Sequence, residues 1–246
     1  MVVHYRTKGF IFKKENRLES DRIFTVFTYD FGRIEIFGKA IRKIASKLKG
    51  GIDIFSLSEI EFIQGKNRKT LTDAISIKKF NNITQDPEKF EIANKISEIL
   101  DSFIRGQELD ERIWFFIIDI FVKLNDQKTN NKFLYYYFFW NFVYILGHGP
   151  ELSICVTCSQ KLHPEILYFS NKEGGVICKS CFIVKKEGTE IIPDIVKILR
   201  LIVKKDWDVL SNLKIVIHSK KLLKEISDDY YNYLMHSYSF KNNLLV

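Results

Sequence analysis

The run Ile23-Phe24-Thr25-Val26-Phe27-Thr28-Tyr29, followed by Asp30-Phe31-Gly32 and then Arg33-Ile34-Glu35-Ile36-Phe37, decides the architecture of the first third of this chain. The first seven residues are β-branched or aromatic throughout and predict a strand. Asp30 and Gly32 are turn formers, and polar and apolar residues alternate after them, so the stretch reads as a hairpin. Upstream, Val3 to Lys14 carries the same residue types and predicts another strand. Downstream, Gly38 to Gly51 holds the cations Lys39, Arg42, Lys43, Lys47 and Lys49, no anion, and glycines at both ends, the composition of a basic connecting loop. Ile52 to Ile63 then reads as a long strand, Gly65-Lys66-Asn67-Arg68 as a turn and Leu71 to Ile77 as a fifth strand. Five short strands with one longer connection after the third predict a small closed barrel of the OB type, with an SH3-like barrel as runner-up.

Past Phe80 the period changes. Ile92, Ile96, Ile99, Leu100 and Phe103 follow helical spacing, with Asp86-Pro87 as a start signal. Trp114 to Leu124 and Phe133 to Leu146 are apolar nearly all round and predict central helices of a bundle, the second ended by Gly147-His148-Gly149-Pro150. Phe133 to Leu146 is too short to span a bilayer, which takes roughly 20 residues, and it contains Asn141. Further helical patterns run around Asp194 to Lys204 and Lys220 to Tyr238. The expected fold is therefore α+β and multi-domain, an OB-fold domain over 1–80 and a helical domain over 81–246, with a cysteine module inserted at about 152–184.

That module is the sharpest local signal. Cys155-x2-Cys158, nineteen residues and Cys178-x2-Cys181 account for all four cysteines of the chain. Two-residue spacing lets both thiolates of a knuckle face one ion, and two knuckles complete a tetrahedral shell. Four thiolates leave no open position for water, so the expected cofactor is structural Zn2+; two redox dithiols and an empty site are the alternatives. Leu167 to Ser170 and Gly174 to Ile177, between the knuckles, read as a short hairpin. His163-Pro164-Glu165 before Cys178-x2-Cys181 imitates a zinc deaminase, but Val176-Ile177 lacks the proline context and Cys155 and Cys158 would be left idle. His163 and His148 read as loop and turn residues, and Asp228-Asp229 as a solvated helix face.

The formal charge is +8 over 246 residues, and residues 1–80 hold all of the excess, with 17 Lys and Arg against 9 Asp and Glu. A single-sign surplus on one segment points to a polyanion, nucleic acid before membrane. The candidate nucleic-acid contacts are Arg33, Lys39, Arg42, Lys43, Lys47 and Lys49. The first twenty residues are interrupted by Arg6, Lys8, Lys13 and Lys14, so no export signal is expected and the thiols are read as reduced. No phosphate-binding loop, nucleophile elbow or H-E-x-x-H helix is present in the sequence, and no catalytic residue is assigned.

With these features in place the chain resembles the bacterial recombination mediator family RecO. The resemblance rests on Gly9, Glu19-Ser20-Asp21-Arg22, Gly32-Arg33 and Gly38-Lys39-Ala40-Ile41-Arg42-Lys43 leading to Ser46-Lys47, a run that this chain lengthens with Ile41 and Ile44-Ala45. It is carried further by Leu146-Gly147-His148-Gly149-Pro150-Glu151-Leu152 before the first knuckle and by Gly175-Val176-x-Cys178-x2-Cys181. The resemblance implies a non-enzymatic protein of the bacterial cytoplasm and nucleoid. It would bind single- and double-stranded DNA, anneal complementary strands, and work with RecR and the C-terminal tail of single-strand-binding protein to load recombinase, with no membrane partner. Arg200, Lys204 and Lys205 are candidates to meet the carboxylate of that tail. An RNA- or translation-associated OB and zinc-ribbon binding module is the alternative from another class, and a metal-dependent nucleic-acid enzyme a second.

Overall fold

β1 (His4–Arg17), β2 (Asp21–Thr28) and β3 (Gly32–Gly38) form an antiparallel meander. β4 (Ser56–Gln64) returns antiparallel to β1, and β5 (Lys69–Lys79) pairs with β4 and, over Ile36↔Lys69 and Phe37↔Thr70, parallel with β3. The order β1-β2-β3-β5-β4 therefore closes on itself as a five-stranded barrel. The structure, a computed structural model, describes residues 3–106, 109–127 and 131–243, with Lys132 and residues 238–243 described by their backbone alone. The chain divides into two units, Met1–Thr129 and Asn130–Val246.

In the first unit the middle of β1 and the second half of β2 bury both faces, whereas β3, β4 and β5 bury one. Ile11, Phe24, Val26, Ile36 and Ile60 fill the interior. On the outside, Phe10, Phe27, Phe55 and Phe80 meet an aromatic layer from the helices that follow: Phe10 and Phe121 rings lie 4.4 Å apart, Phe55 and Phe121 5.6 Å, Phe27 and Trp114 6.2 Å. α1 (Asn81–Gln85) is a single turn. α2 (Pro87–Phe103) starts where the sequence marks it, the Asp86 carboxylate accepting from the backbone N–H groups of Glu88 and Lys89 with Pro87 in the first turn. α3 (Glu111–Asn125) is capped the same way by Asp110. It is not buried all round as expected: Trp114, Ile117, Phe121 and Leu124 face inward, while Phe115 is 60% exposed.

β4 begins four residues later than the apolar run predicts. Ser56 Oγ donates to the Asp53 carbonyl at 2.6 Å, the Ile54 N–H donates to the Asp53 carboxylate, and Phe55 takes a φ of 52°, so residues 52–55 form a turn. The turn sends Phe55 into the outer aromatic layer, against Phe90 and Phe121.

The second unit is built around α4 (Leu134–Ile145), whose residues Tyr136 to Val143 are all buried. α6 (Pro193–Val203) and α8 (Ile217–Asn243) pack on it, with the short α7 (Trp207–Asn212) between them in sequence. The one amide in α4 is satisfied: Asn141 Nδ2 donates to the carbonyls of Tyr137 and Ile202, each at 2.9 Å, tying α4 to α6. Trp140 Nε1 donates to Ser227 Oγ at 3.0 Å and its ring stacks on Tyr230. β6 (Leu167–Ser170) and β7 (Gly175–Cys178) form the predicted hairpin, α5 (Lys179–Lys185) follows, and β8 (Thr189–Ile191) adds a third strand beside β6. Among the described residues no helix is long and apolar enough to cross a membrane.

Candidate metal centre and nucleic-acid interface

The approach to the first knuckle is set by the end of α4. Gly147, at φ 80°, closes the helix as a Schellman motif, the His148 N–H donating to the Val143 carbonyl at 2.8 Å and the Gly147 N–H to that of Tyr144 at 3.1 Å. The Tyr144 hydroxyl donates to the Pro150 carbonyl. From there the chain lies along β7, the Glu151 carbonyl accepting from the Val176 N–H at 3.0 Å and the Val176 carbonyl from the Val156 N–H at 3.0 Å. Only glycine fits opposite: a Cβ at Gly175 would sit 2.5 Å from the Glu151 carbonyl oxygen and 2.6 Å from Val156 Cγ1. On the other side, Arg200 of α6 donates from Nε at 2.9 Å and from Nη2 at 2.5 Å to the Leu152 carbonyl. The knuckle is thus fixed between a strand and a helix.

The tight turn after Cys155 is closed by the Ser159 N–H on the Cys155 carbonyl at 2.8 Å and the Cys155 N–H on the Gln160 carbonyl at 2.8 Å. Cys178 ends β7 and precedes the first turn of α5, which carries Cys181. All four Sγ atoms lie within 4.8 Å of one another, and Cys158 and Cys178 are 3.9 Å apart. A tetrahedral ion with metal–sulfur bonds of about 2.3 Å requires sulfurs about 3.8 Å apart, so the donor set fits a metal ion. The four cysteines are free thiols. Burial pushes the Cys155 thiol up, but N–H donors from Cys178, Cys158 and Thr157 outweigh it and bring the group down to about 6. Burial and then the three neighbouring thiols push Cys181 up to about 12. Within the cluster Cys155 is thus biased toward the thiolate and Cys181 toward the thiol, and a cation held between the sulfurs would favour the thiolate form. His163 is exposed, as its loop position implies.

In the first unit the basic loop is pinned to the β1–β2 turn. The Ala40 N–H donates to the Asp21 carboxylate at 2.7 Å, holding Ala40 at φ 51°, and the Arg42 N–H donates to the Ser20 carbonyl at 2.9 Å. Lys47 to Gly50 then form a 3-10 turn. Lys39, Lys43, Lys47 and Lys49 are exposed and have no ion-pair partner among the described residues, while Arg42 reaches only the Leu18 carbonyl, at 3.4 Å. Ile44, between them, is fully exposed. Arg33 differs. Its guanidinium is half-buried and committed to Asp101 at 2.6 Å, and Asp30, three residues before it, accepts from the Thr7 hydroxyl instead. The half-buried Phe37 carries the guanidinium of Arg68 3.9 Å above its ring, a planar surface of the kind on which bases stack.

The family model described as "Recombination protein O N terminal" matches residues 1–80, and "Recombination protein O C terminal" matches residues 84–243. The chain belongs to the RecO family. A curated relative, the DNA repair protein RecO of Dehalococcoides mccartyi strain 195, is 31% identical over 90% of this chain and 86% of its own length. The DNA repair protein RecO of Caldanaerobacter subterraneus subsp. tengcongensis is 23% identical over 85% and 84%, and that of Listeria innocua 24% identical over 92% and 88%. Within this RecO chain, Ser20 and Asp21 hold the basic loop. Arg22, beside them, stands at the barrel mouth with that loop, although it lies outside the run of cations that composition singles out.

Proposed function

We propose that this chain is a non-enzymatic recombination mediator in DNA repair. In this reading it binds single- and double-stranded DNA through the barrel, anneals complementary strands, and helps load recombinase onto DNA coated with single-strand-binding protein. The observation that carries the reading is the loop of Lys39, Arg42, Lys43, Lys47 and Lys49, whose four lysines have no ion-pair partner among the described residues, on a closed five-stranded barrel in a RecO chain. Such cations neutralise phosphates irrespective of sequence, and Ile44 and the Phe37–Arg68 pair offer apolar and planar surface to unpaired bases. Annealing needs two strands brought together with their repulsion neutralised, and no nucleotide hydrolysis.

Cys155, Cys158, Cys178 and Cys181 would hold Zn2+ as a structural ion, because four protein ligands fill its shell. The ion supplies cross-linking of the two knuckles rather than a reactive water.

RecR and the C-terminal tail of single-strand-binding protein are the proposed protein partners, in the cytoplasm and at the nucleoid. A groove of about 730 Å³ between the knuckle approach and α6 supports the second: Leu152, Ile154, Leu162 and Val203 give it apolar walls, and Lys161 and Lys204, against the single carboxylate of Glu151, give it positive charge for a terminal carboxylate. The deciding experiment is strand annealing on DNA coated with single-strand-binding protein, with and without RecR. Acceleration by the protein, without nucleotide, is the expected result. Annealing no faster than the spontaneous rate, or equal action on RNA alone, rejects the reading.

A further inference from the structure

At one mouth of the barrel, three cations from separate segments surround a recess of about 210 Å³: Arg22 from β2, Arg42 from the loop after β3, and Lys49 from the 3-10 turn. Its floor is apolar, formed by the buried Phe24, Ile41 and Ile52. The cations are placed by the fold. Arg22 Nε donates to Asn16 Oδ1 at 3.1 Å, with its guanidinium 6.0 Å from the centre of the Phe24 ring. Arg42 is held through its backbone on Ser20 and through Nη1 on the Leu18 carbonyl. Lys49 is exposed and without an ion-pair partner among the described residues.

One carboxylate, Asp53, also lines the recess, and its charge is already met: Lys14 Nζ lies 2.6 Å from one oxygen and the Ile54 N–H donates to the same atom. Burial pushes the Asp53 carboxyl up, but Lys14, the Ile54 N–H and the charge of Arg22 hold it below the usual carboxylate value. Three cations against one carboxylate that has its own partner leave a concave positive site with hydrogen-bond donors on its rim and none on its floor.

We infer that this recess receives the terminal phosphate of a DNA strand. The inference rests on the DNA-binding reading above and adds to it a preference for strand ends. A terminal phosphate is a dianion at neutral pH and offers three oxygens to the donors of Arg22, Arg42 and Lys49. It enters a half-enclosed recess end-on, with one nucleoside behind it. An internal phosphodiester carries a single charge and has nucleosides on both sides, which would have to leave through the same opening. The exposed cations Lys39, Lys43 and Lys47 suit internal phosphates, and the recess suits the end.

The test uses the full chain and one short single-stranded DNA sequence in three forms: 5′-phosphorylated, 3′-phosphorylated, and with hydroxyls at both ends. Binding is read by fluorescence anisotropy at fixed salt. One phosphorylated form should bind about tenfold more tightly than the hydroxyl form, the order of one or two charge-assisted contacts, and inorganic phosphate should compete away that advantage. Arg22→Gln should abolish the preference. Lys49→Gln, at an exposed side chain with no ion-pair partner among the described residues, should do the same without a folding defect. Equal affinity for all three forms overturns the inference while leaving DNA binding intact, as does a preference that survives both substitutions. Failure to bind any of the three overturns the DNA-binding reading itself.

Discussion

Arg33 of β3 donates from both Nε, at 3.2 Å, and Nη2, at 2.6 Å, to a single oxygen of Asp101 on α2. Lys13 of β1 donates to the other oxygen at 2.9 Å. One carboxylate therefore ties two barrel strands to α2. An arginine placed at a hairpin turn in a basic segment is here a structural cross-link.

Asp101→Asn should destabilise the protein by about 1 kcal/mol at neutral pH, the partial exposure of the pair holding the effect toward the low end for charge-assisted bonds. Burial pushes the Asp101 carboxyl up, but Lys13 and Arg33 outweigh it and hold it below its ordinary value. A depressed folded-state value contributes stability above the unfolded value, near 4, and loses it as pH falls through the folded one. Urea denaturation of both proteins should thus show a difference at pH 7 that shrinks below about pH 4. A difference independent of pH would remove the ion pair as its cause.

The basic loop should set the salt dependence of DNA binding. On a strand with hydroxyls at both ends, which leaves the recess without a terminal phosphate, Lys39, Arg42, Lys43, Lys47 and Lys49 can each neutralise one internal phosphate, and the slope of log affinity against log salt is then about −3.5. Arg42→Ala with Lys43→Ala should bring it to about −2.1 and weaken binding most at low salt. An unchanged slope would move the interface elsewhere. Arg33→Ala, by contrast, should leave the slope as it is and lower the melting temperature.

The metal shell gives a third. One Zn2+ per chain should copurify, and Cys178→Ser or a strong chelator should lower stability on the order of several kcal/mol, because binding to a site absent from the unfolded chain is folding free energy. Metal analysis and thermal melts check it. Protein that is metal-free without chelator and equally stable would exclude a structural ion.

What could be read from sequence followed the range over which each signal acts. The hairpin of β2 and β3 and the four cysteines were legible because alternation and two-residue spacing are local. The start of β4 was misplaced because Ile52, Ile54 and Phe55 look like strand residues, while the turn is written in Asp53 and Ser56. α3 looked apolar all round because Phe115 and Val122 say nothing of their exposure. α1, α5, α7 and β8 are too short to show a period. The Arg33–Asp101 pair spans 68 positions, and the recess of Arg22, Arg42 and Lys49 gathers three segments, so neither exists in any linear window.

The last prediction tests whether the fold around the knuckle, rather than the cysteines alone, sets metal affinity. At Gly175 an added Cβ meets the Glu151 carbonyl oxygen at 2.5 Å, Val156 Cγ1 at 2.6 Å and the Glu151 nitrogen at 2.9 Å. Two of those three atoms are backbone held by the hydrogen bonds to Gly174 and Val176, so the strain cannot be relieved by a rotamer change. Gly175→Ala should push residues 151–156 off β7, carrying Cys155 and Cys158 away from Cys178 and Cys181. The expected cost is about 1–3 kcal/mol of stability, as for other overpacking changes. Metal should also be lost to a competing chelator at lower concentration than in the parent. Gly50→Ala is the control, since nothing lies within 4 Å of its Cβ, and it should stay within about 0.5 kcal/mol of the parent and retain its metal. If Gly175→Ala keeps full metal affinity, the four thiolates find their geometry without the strand, and the contact of Glu151 with β7 is not what positions the first knuckle.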